Sequence, residues 1–227
     1  MSPPREPLLV LFDLDGTLAA TAPDIVNAIN LLLAESGVPP MAAEDAANHV
    51  GSGAGAETLI GGAFARAGRP LSPEESRHLL VRYFEIYLKN LCVQSTLYEG
   101  CTDALDHLIA RGHRLAVCTN KPTRHARALL ERLEVADRFA AICGRDLFEA
   151  HKPDPRHVDG TIERAGGRDR RAILVGDSET DVAAARNAGI PVVLVSFGYG
   201  AGRAAALSPE ATIDHFRDLP GLLESFP

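Results

Sequence analysis

Residues 8–18 read LLVLFDLDGTL, an apolar run that breaks into two carboxylates, Asp13 and Asp15, followed at once by Gly16 and Thr17. On an extended strand, side chains two apart share a face, so both acids are presented side by side at the strand's carboxyl end. Two carboxylates that close ionise together only with a cation between them; otherwise one keeps a proton. A divalent metal that holds Asp13 anionic while Asp15 keeps or lends a proton would make the pair a nucleophile and a general acid/base. The plain alternative is a strand ending in an Asp-Gly turn without chemistry, because both residue types are common in turns.

Other apolar runs are interrupted in the same way. Thr119, Asn120 and Lys121 follow RLAVC at 114–118, and Asp177, Ser178 and Asp181 follow AILVG at 172–176. In open α/β sheets ligands bind beyond the carboxyl ends of the strands, where these groups would converge. Mg²⁺ takes hard oxygen ligands, usually one or two carboxylates completed by water and substrate phosphate. Asp13 and Asp177 can supply the carboxylates, and the carbonyl of Asp15 a third protein oxygen. Asp181, one helical turn beyond Asp177, is expected to face the same site through water or by orienting Lys152. Asp177 and Ser178 would equally suit as helix caps. Thr119 and Asn120 stand where the next helix begins, a position that attracts anions and also favours caps. Lys152 lies in AHKPDP, where Pro153 and Pro155 narrow the positions its ammonium can take.

The elements that must position these residues read as strands alternating with helices. LLVLF at 8–12, RLAVC at 114–118, FAAIC at 139–143, AILVG at 172–176 and PVVLV at 191–195 are continuous apolar runs, as expected of strands buried on both faces of a parallel sheet. Between them, apolar stripes end at Gly112, Gly166 and Gly189 as helices do, and Pro122 can open the helix that carries Ala126, Leu129, Leu130 and Leu133. The pattern predicts a doubly wound α/β parallel sheet, Rossmann-like. From Ala19 to Cys92 the chain reads as helices without a convincing strand. Ile25, Val26, Ile29, Leu32 and Leu33 form one face, and Ser72-Pro73-Glu74-Glu75 is a capping box opening a helix with Leu80, Phe84, Leu88 and Leu91 on one side. The expected organisation is a catalytic core of residues 1–18 and 93–227, with a helical cap of residues 19–92 inserted after the first strand.

Composition narrows the function classes. The 227 residues carry a formal net charge of −7, so the basic face that nucleic-acid binding wants is not expected. Apolar runs are strand-sized, far below the roughly 20 residues of a membrane span. The amino terminus runs directly into the Asp13 site, so its removal as a signal peptide would destroy that site, and a cytoplasmic protein is expected. Cys92, Cys101, Cys118 and Cys143 form no CxxC pair and read as reduced, buried thiols. The eight histidines offer no close ligand pair for zinc, and His151 reads as a polar loop residue.

FDLDGT at 12–17, CTN at 118–120, the Lys152-Pro153 loop and GDSETD at 176–181 together resemble, in order and spacing, the four motifs of the haloacid dehalogenase-like hydrolase superfamily. KPDP at 152–155, AGIP at 188–191 and SFGYG at 196–200 resemble its phosphoglycolate phosphatase branch. The resemblance implies a Mg²⁺-dependent phosphatase acting on a small phosphorylated metabolite, as a monomer or homodimer. Asp13 would form an aspartyl-phosphate, and Asp15 would protonate the leaving alkoxide and then activate water. Thr119, Asn120 and Lys152 would bind the phosphoryl group, with Asp13, the Asp15 carbonyl and Asp177 on the metal and Asp181 and Ser178 behind them. Such relatives often carry Val-Asp-Ser where this chain has Ala19-Ala20-Thr21, which bears on cap placement or substrate choice rather than on the chemistry. GSGAG at 51–55 would bring backbone amides to a substrate carboxylate or act as a flexible connection.

2-Phosphoglycolate is the leading substrate by this resemblance, with sugar phosphates such as N-acetylmuramate 6-phosphate, nucleotides or pyrophosphate as alternatives. A dehalogenase would need neither Asp15 nor the acidic 176–181 cluster. A phosphoacceptor signalling domain would lack the helical insert, and a serine hydrolase at Gly176-Asp177-Ser178 would have only His215 near the carboxyl terminus as partner.

Overall fold

The computed structural model describes residues 6–41, 55–167 and 171–226. Its strands are β1 (Leu9–Phe12), β2 (Ala19–Ala20), β3 (Thr96–Leu97), β4 (Arg114–Cys118), β5 (Ala141–Cys143), β6 (Ala172–Gly176), β7 (Val192–Val195) and β8 (Ala211–Ile213). Six form one parallel sheet in the order β5-β4-β1-β6-β7-β8. The helices are α1 (Ala22–Glu35), α2 (Ala56–Arg66), α3 (Pro73–Lys89), α4 (Cys101–Ala110), α5 (Thr123–Arg132), α6 (Pro155–Arg164), α7 (Glu179–Asn187), α8 (Ala201–Ala204) and α9 (Leu219–Ser225). Among the described residues no helix is long and apolar enough to cross a membrane.

Each sheet face has its own core, which is why the strands read as unbroken apolar runs. Val10, Phe12, Leu115, Val117, Ile173 and Val175 join one cluster, while Leu9, Leu11, Ala116, Cys118 and Leu174 join the cluster on the other face. A central strand with water on neither side has no place for a polar residue until it ends. Asp13 is the first residue past that point in β1, and its N–H donates to the Val175 carbonyl (2.9 Å), so the chain leaves the sheet still in register. The doubly wound parallel sheet expected from the sequence is therefore present. Gly189, at φ +68° after α7, turns the chain toward β7 in a left-handed conformation that a side chain would strain.

Between β2 and β3 the described elements are α1, α2 and α3, packed on one another. The sequence suggested no strand here, yet Ala19–Ala20 pairs antiparallel with Thr96–Leu97 at the point where the chain leaves and re-enters the sheet region. Two-residue strands carry no periodicity to read. The capping box at Ser72 is formed: the Ser72 hydroxyl accepts from Glu75 N–H, and Glu75 accepts from Ser72 N–H (2.8 Å). The buried face of α3 extends beyond the expected one. Tyr83, Ile86 and Tyr87 are buried, while Leu80, Phe84 and Leu88 are half-buried. The tyrosines go inward because they wall a cavity. Pro122 stands just before α5 rather than within it. Gly51–Ala54, most of the GSGAG stretch, lies outside the described residues.

Asp24 in α1 is fully buried and accepts hydrogen bonds from the N–H groups of Val93, Gln94 and Ser95 and from the Ser95 hydroxyl (2.6 Å). A carboxylate in that position replaces water for three backbone donors at once. Asp24→Ala is expected to cost about 3 kcal/mol in urea unfolding, because three backbone donors and the buried Ser95 hydroxyl lose one shared acceptor. A loss under about 0.5 kcal/mol, the range of ordinary surface changes, would contradict this.

Candidate active site

The cavity opens where β1, β4 and β6 end. It measures about 150 Å³ and is lined by Asp13, Asp15, Thr119, Asn120, Lys152 and Asp177 on the sheet side and by Leu59, Tyr83 and Tyr87 on the helical side. The residues singled out at three separate strand ends thus meet in one place, as the sheet topology requires.

Lys152 is the electrostatic centre. Its ammonium, 2% exposed, lies 2.6 Å from Asp181 Oδ1 and 3.1 Å from Asp13 Oδ1. Burial alone would lower the ammonium's pKa, but Asp13 and Asp181 outweigh it and push it up, so Lys152 is a permanent cation. Its backbone is fixed as firmly: Lys152 N–H donates to His157 Nδ1 (3.1 Å), and Asn120 Nδ2 donates to the Lys152 carbonyl (2.9 Å). Because His157 Nδ1 accepts, its proton sits on Nε2, which faces the Cys143 carbonyl. Burial and the neighbouring Lys152 bring the His157 pKa down to about 4 and keep the ring neutral.

Asp181 is bound on both oxygens. Oδ1 takes Lys152, while Oδ2 accepts from Asp177 N–H, Ser178 N–H and the Ser178 hydroxyl (2.6 Å). Ser178 in turn caps α7, its hydroxyl accepting from Asp181 N–H. The pair forms a buried post that orients Lys152.

Asp177 is gripped on both oxygens. Thr17 Oγ1 donates to Oδ1 (3.1 Å) and Gly200 N–H donates to Oδ2 (3.0 Å). Two glycines make room for it: a Cβ on Gly16, which has φ +86°, would lie 2.6 Å from Asp177 Oδ2, and one on Gly198 would lie 2.2 Å from Asp177 Cβ. SFGYG therefore contributes a backbone donor and a close approach. Tyr199 of the same stretch accepts a hydrogen bond from Ala22 N–H (2.8 Å), tying the start of α1 to the site.

One oxygen of the cluster is unsatisfied. Asp13 Oδ1 is buried and, although Lys152 is near, accepts no hydrogen bond of good geometry. Burial raises the Asp13 carboxyl to about 6 against the pull of Lys152, with Asp181 and Asp15 adding to the rise. Burial, then Asp181 and Asp13, raises Asp177 to about 7. Carboxylate oxygens of Asp13, Asp177 and Asp181 lie within 4.8 Å of one another. Asp181 carries four hydrogen-bond donors on its oxygens, more than Asp13 or Asp177, so those two are the better placed to meet a cation. A hard divalent cation fits this set: two carboxylates held close, both pushed up by burial, one with a buried orphan oxygen.

Asp15, the second acid, is bound by Lys121, whose ammonium lies 2.8 and 3.0 Å from its two oxygens and 4.5 Å from the centre of the Tyr87 ring. Lys121 was noticed in the sequence only as a polar residue after a strand. The signal that could have found it is its spacing: Thr119 and Lys121 are two apart at a strand end, as Asp13 and Asp15 are. Thr119 is buried, with its hydroxyl accepting from Lys121 N–H (3.3 Å). Asn120 lines the cavity with Oδ1 unpartnered. His125 closes the aromatic side; its Nε2 faces the Phe84 carbonyl (3.0 Å), and burial lowers its pKa. His151 is exposed, and His215 caps the short turn at 216–218, where its Nδ1 accepts from Arg217 N–H.

Comparison with known proteins gives the family. Residues 10–195 match the family model described as haloacid dehalogenase-like hydrolase. The chain is 42% identical over 211 residues to a phosphoglycolate phosphatase of Caulobacter vibrioides, covering 93% of this chain and 88% of the relative. It is 42% identical over 224 residues to one of Agrobacterium fabrum, covering 98% and 95%. Among solved structures, a predicted phosphoglycolate phosphatase from Haemophilus somnus superimposes with a TM-score of 0.86 at 30% identity, covering 96% of this chain and 98% of that one. The chain is thus an enzyme of the haloacid dehalogenase-like hydrolase family.

Proposed function

We propose that the chain is a Mg²⁺-dependent phosphatase that hydrolyses 2-phosphoglycolate to glycolate and phosphate through a phosphoryl group held transiently on Asp13. The observation that carries this reading is the pairing of Asp13 with Lys152 at 3.1 Å beside a gripped Asp177, with a second acid two residues away. The names of the relatives in Caulobacter and Agrobacterium support the substrate. So does the cavity, whose volume of about 150 Å³ is well under the roughly 300 Å³ of pockets for drug-sized ligands and favours a small ester over a nucleotide.

A carboxylate oxygen of Asp13 attacks phosphorus in line as the ester P–O bond breaks, and the Asp15 carboxyl gives its proton to the departing alkoxide. Asp15, now a carboxylate, takes a proton from a water that attacks the same phosphorus, and the bond to Asp13 breaks to release phosphate. Lys152, with Thr119 and Asn120 beside it, would hold the equatorial oxygens, and its burial makes its charge count for more than in water. Asp13, the Asp15 carbonyl and Asp177 would hold Mg²⁺, which supplies positive charge to the phosphoryl oxygens. Residues 19–92 would act as a cap on the β2–β3 stem, contributing Tyr83, Tyr87 and Leu59 to exclude water.

The raised pKa values give a test that does not depend on turnover. Folded Asp13 and Asp177 keep their protons to about pH 6 and 7, whereas unfolded aspartates lose theirs near 3.8. In that window the folded state binds more protons than the unfolded one, so stability of the metal-free chain falls as pH rises. MgCl₂ relieves the repulsion, and the Tm gain it gives is expected to grow from pH 5 to 8. A gain independent of pH would remove these carboxylates from the metal site. For the reaction itself, hydrolysis of 2-phosphoglycolate in a steady-state assay with and without MgCl₂ is decisive: no phosphate release with the metal present would reject the reading.

A further inference from the structure

Among the described residues, three lysine or arginine side chains line the cavity. Lys152 is committed between Asp13 and Asp181, and Arg145 stands half-buried at the rim near Gly55. Lys121 is the one placed on the side of the leaving group, because it binds Asp15, the acid that meets the ester oxygen in the reading above. Its ammonium is nearly buried, with 5% of the side chain exposed, and lies against the Tyr87 ring. An ammonium has three donors, and the bonds to the two Asp15 oxygens take two of them. Among the described residues, Tyr83, Tyr87 and His125 line the cavity with it, and the Tyr87 ring lies against the ammonium.

We propose that Lys121 is a specificity-determining residue which binds a carboxylate borne on the carbon next to the ester oxygen of the substrate. This rests on the phosphatase reading and names the group that reads the acid end of the molecule. The site already shows that this ammonium takes a carboxylate at hydrogen-bond distance, in Asp15 itself. When the ester oxygen lies against Asp15, a carboxylate one methylene away falls within reach of the cation bound to the same acid, whereas an anion several carbons distant does not. The aromatic ring behind the ammonium holds it by cation–π attraction and keeps water from competing. Esters lacking the carboxylate leave the third donor unsatisfied in a largely desolvated place, which works against them.

The test compares 2-phosphoglycolate with ethyl phosphate, which has a methyl group in place of the carboxylate, for the wild type, Lys121→Gln and Lys121→Arg. A charge-assisted hydrogen bond lost from the transition state corresponds to about 100-fold, so Lys121→Gln is expected to cut kcat/KM for 2-phosphoglycolate about 100-fold more than for ethyl phosphate. Lys121→Arg keeps the charge and should restore part of the preference. If Lys121 served only to hold Asp15, ethyl phosphate, with its poorer leaving group, would lose at least as much; equal or reversed losses overturn the proposal. A binding arm separates this from failure of the parent reading. Calorimetry with 3-phosphonopropionate and propylphosphonate requires no turnover, and the preference for the former should vanish in Lys121→Gln. Absence of that preference in the wild type overturns the proposal. A wild type that shows the preference but hydrolyses neither ester supports the carboxylate site and rejects the phosphoglycolate reading alone.

Discussion

Asp13→Asn should abolish turnover of 2-phosphoglycolate and of p-nitrophenyl phosphate, by about 10⁴-fold or more, while leaving the metal-free fold at least as stable above pH 7. The amide matches the carboxylate in shape but has no charge with which to attack phosphorus. The stability side follows from the position of Asp13, whose carboxyl burial pushes up to about 6, so that at neutral pH its charge opposes folding unless a metal is present. Removing that charge takes away a cost, and Lys152 keeps Asp181 at 2.6 Å as its partner. Opposite signs in activity and stability are what a functional site under electrostatic strain should give. Steady-state kinetics and thermal melts in chelator read the two effects. Residual activity within tenfold of the wild type, or a quenched wild-type reaction in which mass spectrometry finds no phosphate on Asp13, would remove the nucleophile from the mechanism.

Lys152→Ala is expected to fail in both respects. Its ammonium stands between two buried acids, and truncation leaves Asp13 and Asp181 facing each other without compensation. Breaking a buried ion pair by deleting one partner costs about 3–5 kcal/mol, and loss of one donor to a developing anion costs about 10²–10³ in rate. The stability loss should shrink as pH falls below the range where Asp13 titrates, because a protonated acid no longer needs its partner. Lys152→Arg should not restore activity, since a planar fork cannot take the place of a point charge in a closed site. Urea unfolding at pH 5 and pH 8 distinguishes this from a simple packing defect, whose cost would be the same at both.

Much of the framework was legible because burial and chemistry coincide at strand ends. β1, β4 and β6 end as apolar runs because both sheet faces are covered, so the polar residues after them, Asp13, Thr119 and Asp177, mark the crevice. The capping box at Ser72 was legible from four residues because its hydrogen bonds are local. What could not be read depends on partners far away in sequence. β2 and β3 are two residues each and exist only by pairing across more than seventy positions. The stripe of Leu80, Phe84, Leu88 and Leu91 does pack on the core, but the most buried side chains of α3 include Tyr83 and Tyr87, which wall the cavity beside Phe84. Lys121 looked like any lysine at the head of a helix, and Asp24 like any acid in a first turn. Only tertiary structure puts the first on Asp15 and the second under the returning backbone of residues 93–95. Gly16 reads as a turn residue and Gly198 only as part of SFGYG, whereas the smallness of both is required by Asp177.

The double grip on Asp177, from the Thr17 hydroxyl and the Gly200 amide, means that this oxygen pair has one pose before any ligand arrives. A cation entering the crevice meets an acceptor whose dipoles are already aimed, so little nuclear rearrangement accompanies capture. Were a divalent cation to bind there, what would have to rearrange is its own hydration shell rather than this side chain.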